Sequence, residues 1–137
     1  MVKIYTDGAC SGNPGRGGWA AIIIDGEKIE KISGASENTT NNRMELIAVI
    51  SALKYVEEQN IELFTVSKYT KDGIEKWILT WKKNGWKTAN KQDVKNIDLW
   101  KNLDELNQIK NVQWNWVKGH ADNEYNNMAD ELARSKI

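Results

Sequence analysis

The run NNRMELIAVISALKYVEEQ, residues 41–59, constrains the fold more than any other stretch. It holds neither glycine nor proline and starts within TTNN, whose hydroxyl and amide side chains can cap a helix N-terminus. Leu46, Ile47, Val49, Ile50 and Leu53 cover most of its circumference instead of forming one stripe. A helix that is apolar nearly all round cannot lie half in water, so this one is expected to be largely buried.

The segments around it are those of a sheet. VKIYTD alternates, GACSGNPGRGG is rich in turn formers, and WAAIII and KIEKIS read as two strands joined at the hairpin signal Asp25-Gly26. Beyond the central helix, residues 62–66 read as a strand that hands over to a helix at Ser67. Ile74, Trp77, Ile78 and Trp81, at i, i+3, i+4 and i+7, carry a helix towards Gly85. A further helix is expected over about 97–108, then the strand NVQWNWV, then a last helix from about Asn123. The order is βββαβααβα. A strand–helix–strand passage after a hairpin meander implies an α/β fold, with a five-stranded mixed sheet and helices on both faces. At 137 residues the chain is expected to form one domain, residues 1–137. Its single cysteine, Cys10, excludes an intrachain disulfide and suits a reducing, cytoplasmic setting. MVKIYTDGAC lacks the apolar core of a signal peptide and WAAIII is too short to cross a bilayer, so no membrane role is expected.

Net charge is zero, but its distribution is uneven. Residues 82–95, KKNGWKTANKQDVK, hold five lysines and one aspartate, +4 against −4 for the remainder. A lysine run alone is most often a solvated face. Here Trp77, Trp81 and Trp86 lie in or beside it, and aromatic rings among cations are suited to gripping a nucleic-acid backbone.

Three acidic residues punctuate the scaffold: Asp7 at the end of the first strand, Glu45 early in the buried helix and Asp130 near the start of the last helix. Each has an ordinary explanation: a turn with Gly8, complementation of a helix dipole, and an i+4 pair with Arg134. Together, carboxylates contributed by separate elements at the mouth of a sheet are how hard divalent cations are held. Spacing alone does not show that they converge.

TDGACSGNPGRGGWA, TTNNRMEL, KWILTWKKNGWKTANKQDVKNIDLW and WVKGHADNEYNNMADELA resemble the corresponding segments of bacterial ribonuclease HI, in the same order and at matching separations. The resemblance implies a ribonuclease H-like fold and two-metal hydrolysis of the RNA strand of RNA/DNA hybrids. It implies two Mg²⁺ ions, with Mn²⁺ able to substitute, held by carboxylates in the pattern Asp, Glu, Asp, Asp. Asp7, Glu45 and Asp130 match three of these as catalytic metal ligands. The segment that resembles TDSKY reads TVSKY here, and Val66 occupies the third position. The resemblance further implies that backbone groups of Gly8, Ala9 and Cys10, with Asn13, Asn41 and Asn42, read ribose 2′-hydroxyls, and that Asn13 and Thr40 bind a DNA phosphate. Lys68 stands where some relatives have glutamine and is placed to approach a phosphate. Residues 77–95 match a basic protrusion that grips the DNA strand, with Trp77, Trp81, Lys82, Lys83, Trp86, Lys87, Thr88, Asn90 and Lys91 as contacts. His120 matches a loop residue that assists proton movement or product departure, for which a pKa near neutrality is suited. No protein partner is implied, and a monomer is expected.

Val66 divides the functional expectation. An isopropyl group offers no lone pair to a cation, and Asp72, about 9 Å further along at helical rise, points from another part of the helix surface. The chain is therefore an enzyme with severely reduced activity, or a hybrid-binding module that has lost hydrolysis, or an enzyme with rearranged metal ligands.

Overall fold

The structure, a computed structural model, describes residues 1–118 and 123–137. Strands β1 (Val2–Cys10), β2 (Gly15–Asp25) and β3 (Lys28–Thr39) form an antiparallel meander, followed by α1 (Asn41–Tyr55) and β4 (Asn60–Thr65). Then come α2 (Lys68–Asp72), a π-helical turn (Gly73–Trp77) and α3 (Ile78–Lys83), with α4 (Ile97–Ile109), β5 (Asn111–Trp116) and α5 (Glu124–Ser135) completing the order. The sheet runs β3-β2-β1-β4-β5, with β1–β4 and β4–β5 parallel and the other pairings antiparallel. This is the expected five-stranded mixed sheet. Among the described residues no helix is long and apolar enough to cross a membrane.

Alternation along β1 and β2 divides the core into two layers. Val2 and Ile4 of β1, with Ala21 and Ile23 of β2, face α1, α3 and α4, where Leu46, Leu53, Trp100 and Leu103 are fully buried. Tyr5 and Ile22 face the other way, onto Ala129, Met128 and Leu132 of α5. Tyr5 also stacks on Phe64 of β4, ring centroids 4.6 Å apart. Eight residues of α1 are buried, including both Leu46 and Ala48, which lie on opposite sides of the helix, so it is enclosed as its composition requires.

Three elements differ from expectation for identifiable reasons. The glycines of residues 8–18 are not all turn residues: β1 continues through Cys10 and β2 starts at Gly15. A Cβ on Gly18 would lie 2.2 Å from the Ala133 carbonyl oxygen of α5, so here glycine permits close approach inside a strand. β3 likewise runs on to Thr39, well past KIEKIS. The helix over 68–83 is broken by its π-helical turn. Gly73 begins that turn, and a Cβ there would fall 2.0 Å from the buried Trp100 ring.

The tryptophans of the basic segment are largely structural. Trp81 packs edge-on against Trp100 at 5.4 Å and contacts Trp77 and Trp86 at 6.0 and 6.4 Å. After α3, Gly85 and Trp86 both adopt left-handed backbone (φ 64°), which returns the Trp86 ring to this cluster. Trp77 remains 37% exposed, while Trp81 and Trp86 are half-buried.

Candidate active site

The parallel pairing of β1 with β4 ends at Thr6 opposite Thr65. Asp7 and Val66 are the next residues on the two chains, so they flank the opening at the carboxyl ends of adjacent parallel strands, a place where α/β sheets commonly hold ligands. Asp7 is therefore not at the end of β1, which continues in its pairing with β2, but at the point where β1 loses β4. Glu45 arrives from the first turns of α1. Gly8 allows this: a Cβ there would lie 2.6 Å from the Glu45 nitrogen, so the start of α1 rests directly on β1. Asp130 lies in the middle of α5 and not near its start as expected; it pairs with Arg134 at 3.0 Å. Asp7, Glu45, Asp130 and Val66 line one cleft of about 200 Å³.

The electrostatics are those of acids buried close to one another. Burial pushes the Asp7 carboxyl up to about 7; the Gly8 N–H, which donates to its Oδ1 at 2.8 Å, opposes this, and the neighbouring Asp130 adds to it. Burial, followed by the charges of Asp7 and Asp130, holds Glu45 well above the usual carboxylate range. Glu45 Oε1 is buried and has no hydrogen-bond partner. Among the described residues no three His, Cys, Asp or Glu side chains are placed to hold a metal ion together; Asp7, Glu45 and Asp130 share the lining of one cleft.

Asn126 and Asn127 also line the cleft, and Asn126 Oδ1 is a second buried oxygen without a partner. Sequence reasoning missed both. Their spacing of four and three residues before Asp130 on one helix is the signal that places them on its face.

Of the other expected contacts, those around the start of α1 come together. Asn13 Oδ1 accepts from the Asn41 N–H at 3.1 Å, and Thr40 Oγ1 caps the helix by accepting from the Arg43 N–H at 3.2 Å. Asn41 lines the cleft, Asn42 is exposed beside it, and Ala9 and Cys10 continue β1 beyond Gly8. Lys68 lies on the far side of Val66, its Nζ 4.8 Å from the centroid of Trp116. Asp72 lines a separate groove and pairs with Lys76 at 3.8 Å, so it does not join Asp7, Glu45 and Asp130 in the cleft. In the basic segment Lys82 pairs with Asp104 at 3.2 Å and Lys87 with Asp93, whereas Lys83 and Lys91 are exposed and make no ion pair among the described residues. Thr88 accepts from the Gln92 N–H, and Asn90 is exposed. His120 lies outside the described residues.

Comparison with known proteins gives this arrangement a family. The RNase H family model matches residues 1–137, the entire chain. The chain belongs to the ribonuclease H family. A ribonuclease H of Acetivibrio thermocellus is 54% identical over 138 residues, covering 99% of this chain and 94% of that protein. A ribonuclease H of Mesorhizobium japonicum is 60% identical over 135 residues, covering 98% and 76%. Among solved structures, LC9-RNase H1, a type 1 RNase H with the type 2 active-site motif, has a TM-score of 0.85 at 30% identity over 98% of this chain and 70% of that one. By family, then, this ribonuclease H is a nuclease and a hydrolase that acts on nucleic acid.

Proposed function

We propose that this ribonuclease H binds RNA/DNA hybrids at a site built to hydrolyse the RNA strand with two Mg²⁺ ions, and that Val66 leaves it with strongly reduced turnover. The observation that carries the reading is the shared cleft, in which Asp7, Glu45 and Asp130 meet Val66 at the end of β4. The donor set fits a hard cation: it is all oxygen, and it includes the buried Glu45 Oε1 that nothing else satisfies. When bound, a metal pair supplies an activated water and stabilises the leaving oxygen.

The chain's own residues divide the remaining work. Asp7, Glu45 and Asp130 would hold the metal ions, and their negative charge would offset the repulsion between two cations. Val66 presents hydrocarbon at a wall of the cleft where the family pattern has a fourth carboxylate. Backbone groups of Gly8 to Cys10, with Asn13, Asn41 and Asn42, present the donors and acceptors that distinguish a ribose from a deoxyribose by its 2′-hydroxyl. Thr40 and Asn13 hold a phosphate of the DNA strand, Lys83 and Lys91 add unpaired positive charge along the same duplex, and His120 assists proton movement or product departure. The protein works as a monomer in the cytoplasm.

The test is Val66→Asp. Loss of an outer partner of a metal ligand commonly costs about 10- to 100-fold, so supplying a direct ligand is expected to raise Mg²⁺-dependent cleavage of hybrid RNA by at least roughly 100-fold. Glu45→Ala, purified identically, sets the background from host nuclease. Residual cleavage by the Val66 protein is expected to be greater with Mn²⁺, which is less exacting in geometry. A Val66 protein that cuts hybrid within a few-fold of Val66→Asp, well above background, would overturn the reading. The absent carboxylate favours one alternative, a hybrid-binding module without hydrolysis; that reading is selected if hybrid binds tightly and Val66→Asp gives no turnover.

A further inference from the structure

We propose that the groove between α2 and the end of β5 seats an unpaired extension of the RNA strand, beyond the base-paired hybrid. This rests on the hybrid-binding reading above and adds a second site to it. The groove has a volume of about 470 Å³, more than twice that of the acidic cleft, and is lined by Lys68, Lys71, Asp72, Trp114, Asn115 and Trp116.

Its chemistry follows from two periodicities. Lys68 and Lys71, three residues apart, share one face of α2. Trp114 and Trp116, two apart, share one face of the edge strand β5. Trp114 is tied into the fold by its Nε1, which donates to Asn107 Oδ1 at 3.0 Å, and packs against the core. Trp116 is different: it is 38% exposed, and the Lys68 ammonium sits over its ring. An aromatic face beside cations is what unpaired nucleotides bind, the base stacking on the ring and the phosphate meeting the cation. A nucleobase replaces Lys68 on Trp116 and frees its ammonium for the adjoining phosphate. Lys71 contributes with part of its charge shared with Glu75, and Asp72 is offset by Lys76.

Position selects the RNA strand. The Trp116 Nε1 donates to the Val66 carbonyl oxygen at 3.1 Å, while Val66 also lines the acidic cleft. Val66 thus lines the cleft and is hydrogen-bonded to a residue that lines the groove, so in this proposal a strand that leaves the cleft past Val66 reaches Trp116. In the proposed function the strand in the cleft is RNA. A paired base is already stacked within its duplex, so Trp116 gains a base only where the strand is unpaired.

The experiment measures binding in chelator, where no strand is cut, using end-labelled probes: a blunt RNA/DNA hybrid, the same hybrid with an adenosine-rich RNA extension at the 5′ or the 3′ end, and hybrids with the matching DNA extensions. An RNA extension at one end is expected to tighten binding by roughly tenfold over blunt hybrid, the scale of one base stacked on an aromatic ring. Trp116→Ala abolishes that gain, and Trp116→Phe, which keeps an aromatic face, retains most of it. Lys71→Gln, which leaves Trp116 in place, lowers the salt slope for the extended probe by about 0.7 and leaves that for blunt hybrid unchanged. Urea melts confirm folding, and Lys71→Gln alone decides the matter if Trp116→Ala unfolds. Blunt binding with no gain from either RNA extension, a gain untouched by these variants, or an equal gain from DNA extensions would overturn the proposal alone. Failure to bind blunt hybrid would overturn the hybrid reading and this one with it.

Discussion

In chelator, the protein is expected to lose stability as pH rises from about 4 to about 7, contrary to the usual behaviour of a protein held by carboxylate ion pairs. Asp7 is 6% exposed, and burial with the nearby Asp130 raises its carboxyl from 3.8 to about 7. Between those values the folded chain retains a proton that the unfolded chain has released, so unfolding free energy falls with increasing pH. The contribution is fully present below about 4 and is lost by about 7. Each factor of ten in proton affinity is worth about 1.4 kcal/mol, so Asp7 alone accounts for a decline on the order of 4 kcal/mol. That is a large part of the roughly 5–15 kcal/mol typical of a domain. Glu45, also raised, acts in the same direction. Asp93 and Asp98, lowered by Lys87 and Arg43, act oppositely, but their effect is lost as pH falls below about 4, outside the window. Urea melts in EDTA from pH 4.5 to 7.5 measure the decline, and Asp7→Asn is expected to flatten it. Constant or increasing stability across that range in the unaltered chain would refute the argument that these acids are buried against one another.

The same repulsion makes Val66→Asp less stable than the valine form in EDTA at pH 7, by roughly 1–2 kcal/mol, with the deficit shrinking towards pH 5; denaturant midpoints at the two pH values check this. Neutralising Lys82, Lys83, Lys87 and Lys91 is expected to weaken hybrid binding and reduce its salt slope by up to about 0.9 for each phosphate left without its lysine, measured by titration at several salt concentrations; an unchanged slope would mark the segment as a solvated face. Gly73→Ala should cost about 1–3 kcal/mol in a urea melt, because its Cβ falls on the buried ring of Trp100 and the surrounding core has no room to shift it.

The fold is legible in the sequence wherever one periodicity dominates. The encircling apolar pattern of α1, the hairpin at Asp25-Gly26 and the i, i+3, i+4 spacing of Ile74, Trp77 and Ile78 each name an element without reference to its neighbours. Boundaries are hidden where tertiary packing decides them. Gly17 and Gly18 read as turn residues because nothing local reveals that Thr39 and Ala133 press against them within β2. Trp81 and Trp86 read as a surface for ligand because the ring that Trp81 packs against, Trp100, lies on another helix, and Trp86 packs in turn on Trp81. At the site, the acids are visible as residue types, but their convergence depends on where β1 parts from β4, which no spacing states. Asn126 and Asn127 escape notice because an amide has no charge to mark it; only burial without a partner distinguishes Asn126.

The backbone at residue 66 is held without help from its side chain. The Ser67 N–H donates to Thr65 Oγ1 at 3.0 Å, the Val117 N–H to the Thr65 carbonyl at 2.9 Å, and the Trp116 indole to the carbonyl of residue 66 itself. Ser67 Oγ then starts α2 by accepting from the Thr70 N–H at 3.1 Å. Position 66 is therefore a mount: the backbone hydrogen bonds specify where a side chain projects whichever residue stands there, and the neighbouring acids alone make the fold sensitive to its charge. On the proposed reading, architecture and turnover are separately mutable at this point: an exchange at residue 66 would change the chemistry of the cleft while the strand end and the start of α2 keep their shape.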